Sequence, residues 1–198
     1  MELTQAISQR RMTRSFDPSP LDPDEVDSIL DLARRAPSAG NTQAVSFLVL
    51  EGPSTAKYWD ITLPVARRSS FRWQQLLDAP VLVMVCTAPS AYTSRYSEPD
   101  KARTGLGEST ASWPVPYWWV DAGAVIQNLL LVATDRGLGA CLFGPFENES
   151  ALSHKFNLDP QTRIAATIAV GRPLPDSPGR SAHRPRPPLA AVVHRPPL

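Results

Sequence analysis

The sequence predicts an α+β fold. Helical periodicities and apolar, strand-like runs are mixed along its 198 residues. They do not alternate as strict βαβ units, which disfavours a doubly wound parallel sheet. The composition, 42% hydrophobic and 20% charged, is that of a soluble globular chain able to bury a core.

The elements follow in order. Leu3–Arg11 makes a short helix, and Pro18, Pro20 and Pro23 then break the chain. Asp22 is a good N-cap with Pro23 at the first helical position. That helix runs to about Ala36, with Val26, Ile29, Leu30 and Ala33 on one face, and Pro37 ends it. Ala44–Glu51 reads as a buried strand bounded by Gly52-Pro53. Pro64–Leu77 reads as helix and Pro80–Thr87 as a second buried strand. Ala88 to about Trp113 is polar and rich in Pro, Gly and Ser. A stretch of that length without periodicity suits a lid or binding loop. Tyr117–Arg136 is the longest helix, capped by Gly137. Ala140–Phe143 is a short strand, Glu147–Phe156 a short helix and Ile164–Val170 a third clear strand. Eight of the 21 prolines follow Arg172. On composition alone this is an extended or disordered tail, in which Ala190–His194 offers a small apolar strand. The expected organisation is one domain over 1–172, with a lid insertion at about 88–117, and an extended Pro/Arg-rich arm over 173–198.

Several function classes are disfavoured. The formal net charge is +1, which argues against nucleic-acid binding. No segment approaches the ~20 apolar residues that span a bilayer. The first residues lack the apolar stretch of a secretory signal, so a cytoplasmic location is expected. Cys86 and Cys141 sit in apolar runs and read as buried thiols. His154, His183 and His194 show no metal-ligand spacing. Gly137-Leu138-Gly139 follows a helix where a dinucleotide fingerprint needs a strand. Neither a phosphate-loop motif nor a nucleophile elbow is present.

Two segments carry chemistry. Arg10-Arg11-Met12-Thr13-Arg14 places three guanidinium groups within five residues, and guanidinium binds phosphate bidentately. Ala36-Pro37-Ser38-Ala39-Gly40-Asn41-Thr42-Gln43 offers donors, acceptors and a glycine between a helix end and a strand. Taken singly, the first reads as a solvated patch and the second as a polar turn. Taken together, with Ala33-Arg34-Arg35 leading into the second, they resemble the opening signature of the nitroreductase-like flavoprotein family. Asp121–Leu131 is similar to that family's central helix. Gly137–Cys141, Val170–Pro173 and Arg184–Leu189 also fit, in order, so the resemblance covers essentially the whole chain.

The resemblance implies a central, mostly antiparallel sheet flanked by helices, in a homodimer with FMN at each subunit interface. Arg10, Arg11 and Arg14 would contact the phosphate, ribityl chain or pyrimidine edge. Met12 stands where the family often has Ser, so a backbone contact there would survive and a hydroxyl contact would not. Pro37, Ser38, Ala39 and Asn41 would reach the flavin of the other subunit. Phe143 and Gly144 would line the ring or its N5 side. Arg184 and Arg186 would clamp the phosphate. The arm would cross the partner, Ala190–His194 adding an edge strand to its sheet.

The implied activity is ping-pong hydride transfer from NAD(P)H through the flavin to a small aromatic, quinone or nitro acceptor. The cofactor carries the chemistry and no side chain is catalytic. The remaining expectations are a small-molecule substrate, no nucleic-acid or membrane partner, and no metal. Trp113, Tyr117, Trp118 and Trp119 either pack in the core or interface or wall the pocket. Arg95, Lys101 and Arg103 either attract an NADPH phosphate or are simply solvated. The alternatives are a dedicated biosynthetic flavin dehydrogenase or oxidase, and a flavin-binding or storage protein without turnover.

Overall fold

The computed structural model describes residues 1–176 and 179–195. Residues 177–178 and 196–198 of the expected arm lie outside the described residues. Seven helices, α1 (Leu3–Gln9), α2 (Pro23–Ala33), α3 (Pro53–Thr62), α4 (Val65–Arg68), α5 (Pro89–Tyr96), α6 (Tyr117–Asp135) and α7 (Glu149–Lys155), accompany four strands among the described residues. The strands are β1 (Val45–Glu51), β2 (Val81–Thr87), β3 (Gly139–Phe143) and β4 (Arg163–Gly171). They form one sheet in the order β1-β2-β4-β3, antiparallel at every pairing.

β2 is buried along its whole length, so both of its faces must be apolar. Its side chains alternate between two cores. Val81, Val83 and Val85 pack with Ile29, Leu30 and Ala33 of α2 and with Val125, Leu129 and Ala133 of α6. Leu82, Met84 and Cys86 pack on the other face with Phe16, Tyr58 and Trp59. β4 switches parity partway along. The register with β2 slips between Val85 and Cys86, whose partners are Ala166 and Ile164, leaving Ala165 as an extra residue. An inserted residue flips which side chains share a face. Accordingly Ile168 belongs to the first core, whereas Ile164 and Ala169 belong to the second.

The expected caps are present. Asp22 Oδ1 accepts from the Asp24 backbone N–H at 3.0 Å, and Gly137 closes α6 with φ of 71°. Three regions differ from expectation. Gly52-Pro53 bounds β1 but also opens α3, with Pro53 in its first turn. Pro64–Leu77 is not one helix: after α4, Gln74 Nε2 donates to the carbonyls of Arg68, Ser69 and Phe71, and side-chain bonds of this kind compete with a helical ladder. Within the polar stretch after Ala88, Pro89 starts α5, which buries Tyr92.

The segment that carries the first arginines is held as an extra ribbon at the sheet edge. Met12 bridges Ala140 in parallel, and Thr13 N donates to Ala140 O at 2.9 Å. On its other side Phe16 bridges Pro173, Asp17 N donates to Arg172 O at 3.0 Å, and Leu174 N donates to Ser15 O at 3.0 Å. The ribbon thus lies between β3 and the chain leaving β4. This close approach depends on Gly139, where a Cβ would lie 2.7 Å from Thr13 Cγ2.

The run expected to add a strand to a partner's sheet is not a strand within the single chain. Over Ala190–His194 the chain makes a 3-10 turn at Leu189–Ala191, with Ala191 N bonded to Pro188 O and Val193 N bonded to Leu189 O. A strand needs a ladder partner, and here the backbone satisfies itself locally instead.

Gly139→Val is expected to push the arginine ribbon off β3. Urea unfolding should show a loss of about 1–3 kcal/mol, the cost of overpacking a tight contact, and an unchanged midpoint would contradict the packing described.

Candidate functional site

Five arginines gather around one cleft. Arg10, Arg11 and Arg14 come from the ribbon after α1, and Arg184 and Arg186 come from the arm. With Met12, Leu174, Asp176 and His183 they line a cavity of about 1100 Å³. The local reasons are plain. α1 ends at Gln9, and the β3 bridge holds the ribbon extended. Prolines on either side of Arg186 keep the arm from coiling into a helix.

The electrostatics of the cleft are distinctive. Elsewhere Arg34, Arg35, Arg68, Arg95 and Arg163 each sit in an ion pair with a carboxylate. Among the described residues none of the five cleft guanidiniums has a carboxylate at ion-pair distance. Arg11 Nη1 donates to Ser8 O at 2.7 Å and Arg14 Nη1 to Met12 O at 3.2 Å. Arg10 Nη1 is buried without a hydrogen-bond partner among the described residues. A buried unpaired donor is costly unless something else completes it.

A smaller cavity of about 370 Å³ adjoins the cleft, lined by Ser15, Arg72, Trp73, Gln74 and Gln75 and sharing Arg14 and Asp176 with it. Two guanidiniums face the Trp73 ring, Arg14 at 5.0 Å and Arg72 at 5.3 Å from its centroid. Ser15 Oγ donates to Gln75 Oε1 at 2.6 Å.

Of the other expected site residues, Met12 turns its sulfur to β3, where it accepts from Leu142 N at 3.5 Å. Pro37, Ser38, Ala39 and Asn41 are not in the lining of the cleft. They form a separate strained loop, with φ of 61° at Gly40, 54° at Asn41 and 52° at Gln43. Positive φ at non-glycine residues persists only where surrounding contacts enforce it. Here Asp121, only 5% exposed on α6, accepts from Ala39 N at 2.9 Å and from Tyr92 Oη at 2.8 Å. Burial, and then the bond to Asp121, push the Tyr92 hydroxyl well above its ordinary pKa. Arg95 Nε donates to Gly40 O at 2.8 Å while its guanidinium grips Asp100 at 2.7 and 2.8 Å. Arg95 is therefore committed to this loop and is not a free cation for a nicotinamide nucleotide.

Phe143 commits its ring to the core, stacked on Trp59 at 5.6 Å and edge-on to Tyr58, and so does not line the cleft. Gly144 follows it outside the lining and sits against Phe146, where a Cβ would lie 3.2 Å from the ring. Trp113 and Trp118 pack with Tyr92 in a third apolar cluster, while Tyr117 is largely exposed. Cys86 and Cys141 are buried, which pushes both thiols up to about 11, so they stay protonated at neutral pH.

Sequence reasoning missed Arg72, Trp73, Gln75 and Asp176. Gln74 and Gln75 sat inside an assumed helix. Nothing in the local sequence marks Asp176 as neighbouring Arg14.

Known proteins resemble this chain in sequence and fold. The chain is 29% identical to a 4-nitrobenzoate reductase of Pseudomonas putida over 189 residues, covering 83% of this chain and 82% of that one. It is 24% identical to an oxygen-insensitive NADPH nitroreductase of Helicobacter acinonychis, covering 89% and 90%. A Desulfovibrio desulfuricans structure solved in complex with FMN superposes with a TM-score of 0.69 at 26% identity, covering 100% of this chain and 98% of that one.

Asp121→Ala should leave Ala39 N–H and the Tyr92 hydroxyl unpaired, costing about 2–3 kcal/mol in chemical denaturation. An effect within error of zero would show that Asp121 does not hold the loop.

The family model named Nitroreductase family matches residues 7–172, and the chain belongs to that family.

Proposed function

We propose that the chain is an FMN-dependent NAD(P)H oxidoreductase that passes electrons to a small aromatic, quinone or nitro acceptor. The observation that carries this reading is the cleft itself. Five guanidiniums without carboxylate partners among the described residues, one with a buried orphan donor, make a site for a doubly charged phosphate. The adjoining cavity supports it further. Arg72 and Gln75 offer the polar donors that a pyrimidine edge requires, next to an aromatic wall. The donor set therefore fits FMN at both of its polar ends.

When bound, FMN would supply two-electron chemistry at its ring, taking hydride from a nicotinamide and giving electrons to the acceptor. The chain supplies binding, orientation and field. Arg10, Arg11, Arg184 and Arg186 would hold the phosphate. Arg14, at the junction of the two cavities, places a cation where it favours added negative charge on the ring. Trp73 keeps that guanidinium in place by stacking. Neither thiol lines the cleft, and both are protonated at neutral pH, so covalent catalysis by cysteine has no support.

A homodimer belongs to the same reading. Leu189 and Val192 of the arm are 74% and 56% exposed, apolar surface suited to a second copy. The Ser38–Asn41 loop, apart from this chain's own cleft, would then serve the partner's. Arg184 and Arg186 already stand at the chain's own cleft, so their delivery does not require exchange of the arm.

The purified protein is expected to be yellow, to sediment as a dimer, and to bleach on anaerobic addition of NADH or NADPH. Arg186→Ala should lose flavin on dilution, with FMN affinity reduced about tenfold or more. A protein that FMN cannot reconstitute, or full flavin retention by the variant, would contradict this assignment.

A further inference from the structure

One carboxylate stands on the rim of the arginine cleft. Asp176 and Arg14 are the two residues common to the linings of both cavities. By charge alone Asp176 is misplaced, since a negative group beside an anion site weakens that site. Its side chain makes no ion pair with a guanidinium among the described residues. Instead Asp176 Oδ2 accepts from the backbone N–H of Arg14 at 2.7 Å, across 162 positions of sequence.

That bond lies at a particular point in the chain. The pairing of the arm root with the ribbon runs through Asp17–Arg172, Phe16–Pro173 and Ser15–Leu174. Asp176 adds the next tie, to Arg14. Beyond it Gly179 is buried against the Arg14 guanidinium, where a Cβ would lie 3.5 Å from Nη1. Arg14 is thus stacked on Trp73 and bonded through its backbone to Asp176, with Gly179 leaving room beside its guanidinium. The chain then proceeds to Arg184 and Arg186 at the cleft.

We propose that Asp176 is a positioning residue for the anion site. By accepting from Arg14 N–H it sets where the arm departs from the ribbon, and so places Arg184 and Arg186 at the cleft. Docking of the arm and binding of the phosphate are then coupled, and by linkage each strengthens the other. The proposal rests on the FMN reading for its ligand, and on the geometry of the arm for everything else.

The sign of one substitution separates this from simple electrostatics. Asp176→Ala removes a negative charge beside the phosphate, which on charge alone tightens FMN. The positioning role predicts the opposite, a dissociation constant raised about tenfold or more, measured by quenching of flavin fluorescence. Asp176→Asn keeps the acceptor oxygen and loses the charge, so it should bind FMN at least as tightly as the parent. Unchanged or tighter binding by the Ala variant, or equal weakening in both variants, overturns the proposal.

A second readout needs no flavin. Arg184, Arg186 and Arg195 each precede proline, so trypsin can open the arm only after Arg180. Cleavage at Arg180–Ser181, followed by mass, should be several-fold faster in the ligand-free Ala variant. In the parent it should be slowed by FMN or inorganic phosphate. If the parent binds no FMN, the cofactor assignment fails, while cleavage of the Ala variant at the parental rate would still overturn the role of Asp176.

Discussion

Like charges held together are the constraint around which this molecule is arranged. Guanidinium groups that line one cavity repel one another, by an amount that falls with their separation and with solvent screening. Five of them share one cleft, without carboxylate partners among the described residues. Repulsion of this kind has to be opposed by a scaffold that holds the groups in place. The scaffold is the sheet edge. β3 holds the ribbon from one side and the chain leaving β4 holds it from the other, with Gly139 permitting the approach.

The rest of the fold serves that edge. β2 is apolar on both faces, and the extra residue at Ala165 exchanges which side chains of β4 face each core. One core packs under α2 and α6, and the other under Phe16, Tyr58 and Trp59. Phe16 belongs to the ribbon itself, so the segment bearing Arg10, Arg11 and Arg14 is anchored by a fully buried aromatic only two residues beyond the last of them. Between α2 and β1 a second polar element is anchored differently. Asp121 and Arg95 hold the Ser38–Asn41 loop in a strained conformation by bonding its backbone.

Much of this was legible in the sequence, and the failures have physical causes. The four strands announced themselves as short apolar runs, α2 by its periodic face and Asp22 cap, and α6 by its length and Gly137. Proline misled at two places. Pro53 and Pro89 were read as boundary and loop, whereas proline in a first turn also opens a helix. At Ala190–His194 the single chain forms a 3-10 turn, since a strand depends on a ladder partner that composition does not reveal. The clustered arginines of the ribbon were visible because they are adjacent in sequence. Their meeting with Arg184 and Arg186 was expected only through the family resemblance. Trp73 and Asp176 left no local trace, because their importance lies in what faces them across the fold.

The central claim is that the cleft exists for a phosphate. It is tested most directly by titrating the apoprotein with FMN and with riboflavin, which shares the ring and ribityl chain and lacks the phosphate. Charge-assisted contacts from several arginines predict that FMN binds at least about a hundredfold more tightly, and that the gap narrows as salt is raised. Equal affinities, insensitive to salt, would contradict the account.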